Sequence, residues 1–175
     1  AQEVFDTLPI RDVISWNALI TGYVEHGPAE EVLNLLKNMS MEGTSPNVAI
    51  YTGTLKACCE IGCLDKGRQL HVEIIERGME NDLSIANSLV DMYSKFTMFS
   101  ESDNVFGRMP NRDIVSWTAL IAGYAQQGQG HEAFNCYERM QREGLSPDEV
   151  TLTCIFKACA RLGTIDRGKQ IHHMI

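Results

Sequence analysis

The apolar residues of this chain fall into short amphipathic runs. Trp16, Leu19, Ile20, Tyr23 and Val24 follow the i, i+3, i+4, i+7, i+8 spacing of a helix with one buried face. Gly27 is expected to end that helix by supplying a left-handed terminal residue at no steric cost, with Gly62, Gly128 and Gly163 in the same role further along. A second helix is predicted over roughly Ala29 to Met41, with Val32, Leu35, Leu36 and Met39 on one stripe. Gly43 and Pro46 stop it, because proline cannot continue a helix and biases its predecessor toward extended geometry. The pair is a helix hairpin.

The hairpin recurs. Val13 to Asn47 returns 101 residues later as Ile114 to Asp148, with 15 of 35 positions identical. Between them lie Val48 to Asp82, of 35 residues, and Leu83 to Asp113, of 31. Ala1 to Asp12 matches the tail of the shorter unit, and Glu149 to Ile175 the front of the Val48 unit. The chain is therefore expected to be a stretch of a longer array. A fixed period near 35 residues means that each unit buries its apolar face only by stacking on its neighbours. One position in the second helix reads Val32, Gly67, Ser102, Ala133 and Gly168, and its small residues predict a close helix crossing. The Leu83 unit carries Thr97 in place of the turn glycine, and Phe96, Met98 and Phe99 around it are expected to pack on the next hairpin.

Charge changes the picture of partners. With 15 Lys+Arg against 23 Asp+Glu, the net charge of -8 argues against a binder whose affinity comes from bulk phosphate neutralisation. No apolar run approaches the ~20 residues that span a bilayer, so no membrane is expected as a partner. No basic, acid-poor segment at the start looks like a transit peptide. The cysteines lie inside helical patterns, which fits free thiols in a reducing compartment. Cys59 and Cys63, with Cys58 and His71 nearby, have no diagnostic zinc spacing. Cys58 and His71 also recur as Cys159 and His172 at the same repeat positions, as packing residues do, so neither metal nor cofactor is expected. The two motifs of an editing deaminase, H-x-E and C-x-x-C, are not both present, and no nucleophile-base pair or phosphate loop stands out, so the chain is read as non-enzymatic.

The strings SWNALITGY and SWTALIAGY, the terminal SPN and SPD, LKACCEIGCLDKGRQLH, and NSLVDMYSK with MPNRD resemble the pentatricopeptide repeat proteins, specifically the plant P-L-S subclass. On that resemblance residues 13–47 and 114–148 are P-type units and 48–82 an L-type unit. Residues 149–175 are a truncated L-type unit, 83–113 an S-type unit and 1–12 the end of another. It implies an all-α fold, an α-solenoid of tandem helix-turn-helix hairpins wound into a right-handed superhelix. Its first helices would hold single-stranded organellar RNA, one base per unit. It further implies a mitochondrial or chloroplast factor, most readily one that recognises sites of C-to-U editing, with small editing-complex proteins docking on the L-type units around Cys58, Ile61 and Leu64.

In that family the base is chosen by the fifth residue of a unit together with its last. Carried onto this chain, the pairs are Asn17 with Asn47, Thr52 with Asp82, Asn87 with Asp113 and Thr118 with Asp148, followed by Thr153 in the final unit. The resemblance makes Ile14, Ala49, Ser84, Val115 and Val150, at the second position, the residues that sandwich the bases. An amide both donates and accepts, so Asn17 and Asn87 suit a pyrimidine edge, while the shorter Thr118 leaves room for a purine. Helix capping is the competing reading, since Asp before a helix and Asn or Thr in a first turn are what caps prefer. Several family members also place Lys late in the first helix, toward the phosphates; this chain has Glu25, Glu60, Lys95, Gln126 and Arg161 there. The rival function from another class is a tetratricopeptide-like protein scaffold, which shares the hairpins but leaves the 35/31 alternation unexplained.

Overall fold

The computed structural model describes Phe5, Thr7 and residues 11–162, and among these it contains nine α-helices and no strand. First helices of the successive hairpins are α1 (Val13–His26), α3 (Val48–Ile61), α5 (Leu83–Lys95), α7 (Ile114–Gln126) and α9 (Glu149–Leu162). Second helices are α2 (Ala29–Met41), α4 (Leu64–Glu76), α6 (Phe99–Arg108) and α8 (Gly130–Arg142). The chain divides into two compact units, Ala1–Ser88 and Leu89–Ile175, with the division inside α5. No helix among the described residues is long and apolar enough to cross a membrane.

Within the first unit α1 packs on α2 and on the next first helix, α3; α2 also packs on α3, and α3 on α4. The second unit repeats the scheme, with α6 on α7, α7 on α8 and α9, and α8 on α9. Within each unit an apolar stripe is thereby shared between a hairpin and its successor. Trp16, Leu19, Ile20, Val32, Met39, Ile50 and Leu55 are buried in the first unit, and Trp117, Leu120, Ile121, Met140 and Ile155 in the second. Each such side chain stabilises by ~1.5–3 kcal/mol, so stacking outweighs any single unfavourable turn.

The contacts recur as the sequence does. Phe5 meets Trp16 edge-on at 4.6 Å, and Phe106 meets Trp117 edge-on at 4.7 Å. Arg11 lies over Phe5 and reaches Glu42 at 2.7 Å; Arg112 lies over Phe106 and reaches Glu143 at 3.5 Å. One difference separates the copies: Trp117 Nε1 donates to Glu143 Oε2 at 3.3 Å, whereas Trp16 Nε1 is buried without a partner.

The hairpin turns correct one expectation. Gly62 and Gly128 are left-handed, with φ of 79° and 78°. Gly27 is extended, with φ -110° and ψ 175°. The cause is Pro28, which drives its predecessor out of helical geometry. Glycine is still required at 27 for another reason, because a Cβ there would lie 2.5 Å from the Tyr23 ring. Thr97 does take the left-handed conformation, at φ 60°, a cost of ~1–2 kcal/mol for a residue with a Cβ. The turn is closed by Met98 N–H donating to Tyr93 O at 2.8 Å, and the adjoining Phe99 stacks on Tyr124 of α7 with centroids 4.4 Å apart. Gly163 lies outside the described residues.

The small position is buried wherever it is described, at Val32, Gly67, Ser102 and Ala133; Gly168 lies outside the described residues. At Ser102 the close crossing is explicit, since its hydroxyl lies 3.2 Å from the Val90 carbonyl of α5 and 2.8 Å from Ser94 Oγ.

Candidate nucleic-acid interface

The last residue of each unit is the N-cap of the next first helix. Asp12 Oδ1 accepts from Ser15 N–H at 2.8 Å, Asn47 from Ile50 N–H at 3.0 Å and Asp82 from Ile85 N–H at 3.1 Å. Asp113 accepts from Ser116 N–H and Asp148 from Thr151 N–H, both at 2.8 Å. At Asp113 the Ser116 hydroxyl returns the bond to the backbone, completing a capping box. The Asp12 and Asp148 carboxyls are held below the usual carboxylate range, first by the backbone N–H of Ser15 or Thr151 and then by that residue's hydroxyl. The acidic residues therefore have a structural task through one oxygen.

The fifth residues are not caps. A second and a fifth residue are i and i+3 on their helix, so they share a face. Ile14, Val115 and Val150 are 74%, 58% and 57% exposed, a high value for aliphatic side chains. Ala49 and Ser84 are exposed as well. Behind this rim Asn17, Thr52, Asn87 and Thr118 are half-buried, and Thr153 is exposed.

The fifth residues separate into three states. Asn17 Oδ1 and Asn87 Oδ1 are closed off from solvent with no hydrogen-bond partner. Such an acceptor costs ~1–3 kcal/mol until something donates to it. Thr52 donates to Ala49 O of its own helix at 3.0 Å, so its one proton is already spent. Thr118 Oγ1 bonds Thr151 Oγ1 across to α9. That last contact had no signal in the sequence, because Thr151 is the third residue of the following unit and only the register between α7 and α9 brings the two together.

Two basic residues placed toward phosphates by sequence are already engaged. Lys95 Nζ pairs with Asp91 at 2.7 Å, and Arg161 donates to the Ala125 and Gln126 carbonyls at 2.9 and 2.6 Å, at the end of α7. Those carbonyls carry the negative end of the helix dipole, which favours a guanidinium there.

The face expected to dock proteins on the L-type unit is corrected in part. Cys58 is fully buried, with its thiol pushed up to about 12 by burial, and Ile61 and Leu64 are half-buried. The exposed aliphatics of that hairpin are instead Val72 and Ile75 on α4. One H-x-E string does occur, at His71-Val72-Glu73, but Glu73 accepts from Tyr51 Oη at 2.8 Å and pairs with Arg77 at 3.0 Å.

Comparison with known proteins agrees with this architecture. The PPR repeat family model matches residues 11–60 and 112–161, and a PPR repeat model matches 49–79 and 84–114. A pentatricopeptide repeat-containing protein of Arabidopsis thaliana is 41% identical over 174 residues, covering 98% of this chain and 25% of its own length. Another, described as chloroplastic, is 37% identical over 174 residues, covering 99% of this chain and 20% of its own. The chain thus spans about a quarter of the length of the curated relatives it matches. Among solved structures, maize PPR10 in complex with an 18-nt psaJ RNA element superposes with a TM-score of 0.82 at 20% identity, over 97% of this chain and 26% of that one. That likeness establishes an all-α solenoid of helical hairpins. With the repeat models covering most of its length, the chain belongs to the pentatricopeptide repeat family.

Proposed function

We propose that this chain binds single-stranded RNA sequence-selectively, one base per hairpin, as part of a plant organellar RNA-processing factor of the P-L-S subclass, with recognition of C-to-U editing sites as its task. The observation that carries the reading is the pair of fifth-position carboxamides, Asn17 and Asn87, whose Oδ1 atoms are buried without a donor at the same offset in two hairpins. A base edge supplies that donor once the carboxamide, half-buried as a whole, turns its oxygen outward. The exposed second-position aliphatics Ile14, Val115 and Val150 lie one turn before the fifth residues of their own helices, Asn17, Thr118 and Thr153, as apolar faces for base stacking.

The PPR10 complex with RNA and the chloroplastic relative support the class of ligand and the organelle. The chain's own contribution is recognition, and an editing reaction would belong to other domains or partners. Selection of a randomised, labelled RNA pool on the 175-residue chain tests the reading. Asn17 with Asn47 is read as a pyrimidine, the L-type unit is left open, Asn87 with Asp113 is read as uracil and Thr118 with Asp148 as guanine. With the N-terminus toward the 5′ end, enrichment of 5′-(C or U)-N-U-G-3′ is the expected result. Recovery of RNA with no positional preference, or no recovery, overturns it in favour of a protein scaffold.

A further inference from the structure

Thr151 is 0% exposed and lies between two residues of the same proposed base reader. Its hydroxyl donates to Asp148 Oδ1 at 2.7 Å and shares a hydrogen bond with Thr118 Oγ1. The direction of the second bond follows from counting protons. An ionised carboxylate only accepts, and a hydroxyl has one proton. The Thr151 proton goes to Asp148, which the Thr151 N–H and hydroxyl together hold ionised. Thr118 must then donate to Thr151, and only its lone pairs are left to face outward.

We infer that Thr151 is a positioning residue that fixes the Thr118 hydroxyl as an obligate acceptor, so that this unit takes a base presenting a donor and refuses one presenting an acceptor. The inference rests on the RNA reading above and adds a residue outside the fifth, last and second positions. Guanine offers two adjacent donors, N1–H and N2–H, at its Watson–Crick edge. Adenine has the bare N1 acceptor and a carbon-bound hydrogen at those places and keeps its one donor, N6–H, at the far end of the edge, so a hydroxyl set against the N1 side separates the two. The relay belongs to this pair of hairpins. Ile50 and Ile85 occupy the equivalent position without a hydroxyl, and Ser116 Oγ is closed into the capping box with Asp113.

The test compares RNAs with G or A at the fourth nucleotide of the selected site, bound to the 175-residue chain and its variants. The wild type is expected to prefer G by about tenfold or more, the scale of one good base-edge contact. Thr151→Val keeps the buried shape but removes the hydroxyl, freeing the Thr118 proton to donate to adenine N1. The G:A ratio should fall to within about twofold of unity, with the preference at the third nucleotide unchanged. Thr151→Ser, which keeps the hydroxyl, should keep the ratio, and Thr151→Ala replaces the valine variant if that one does not fold. A hydroxyl-free variant that retains the wild-type ratio overturns the relay, as does one that weakens G and A equally. A wild type that binds RNA selectively elsewhere but ignores the fourth nucleotide overturns the role of Thr118 and the relay with it. A wild type that binds no RNA overturns the function reading itself.

Discussion

Asn87 and Thr118 occupy the same repeat offset, yet their polar atoms face different circumstances. The Asn87 Oδ1 is buried and unsatisfied, while the Thr118 hydroxyl is held by Thr151. A carboxamide oxygen without a donor suits the N3–H of uracil, and this difference predicts a substitution that moves one preference alone. Asn87→Thr should shift the favoured third nucleotide from U toward a purine and leave the fourth unchanged. It should not bring the choice of G over A that Thr151 gives Thr118, because Ser116 is closed into its capping box. The expected change is ~1–3 kcal/mol of discrimination, measurable by competition between RNAs that differ at one base. An equal loss for all four bases would make Asn87 a helix residue with no reading role. The offset of these residues was visible in the sequence because it recurs. Their hydrogen-bond states were not, since Thr52, at that same offset, spends its one proton on the Ala49 carbonyl of its own helix.

The helices themselves were largely legible. The second helix expected over Ala29 to Met41 has those bounds, and Gly62 and Gly128 take the left-handed turn that their place after a helix predicts. Where reading by analogy between units failed, a neighbour decided: Pro28 forces Gly27 extended, and packing buries Cys58 beneath the surface expected to carry it. Close approaches between hairpins left less trace. Gly22 and Gly123 are the same repeat position, but a Cβ on Gly22 meets nothing within 4 Å, whereas one on Gly123 would lie 2.3 Å from Ser94 Cβ. Opposite outcomes follow from one chemical change. Gly22→Ala should stabilise by about 0.5–1 kcal/mol through helix propensity. Gly123→Ala should destabilise by roughly 1–3 kcal/mol, as overpacking in a tight crossing does. Denaturant unfolding of the two variants decides, and a Gly123→Ala chain as stable as its parent would contradict the crossing of α5 with α7.

At the scale of the whole chain, the period near 35 residues announced the hairpin array, because a unit that must stack to bury its face repeats its apolar pattern. Charge sets how such an array can hold a polyanion. The net charge is -8, and Arg11, Arg77, Lys95, Arg112 and Arg142 each pair with a carboxylate. At the late first-helix position, where the resemblance places the phosphates, the two basic residues Lys95 and Arg161 are already engaged, so few cations there are available to displace counterions. Each phosphate neutralised on a single strand contributes about -0.7 to the slope of log K against log salt, so the slope for this chain should be shallower than about -2. Glu25 and Glu60 are exposed and sit late in α1 and α3, at the position where the family resemblance places lysine in other members. The double variant Glu25→Lys, Glu60→Lys should raise affinity at low salt and steepen the slope by about 1.4, if each new lysine meets one phosphate. The ranking of bases should stay as it was, because phosphate contacts position a strand and carry no sequence information. Titration of one preferred and one mismatched RNA across a salt series measures both quantities. An unchanged slope would place α1 and α3 ends away from the strand, and a changed ranking would mean that charge, rather than the fifth-position side chains, sets selectivity.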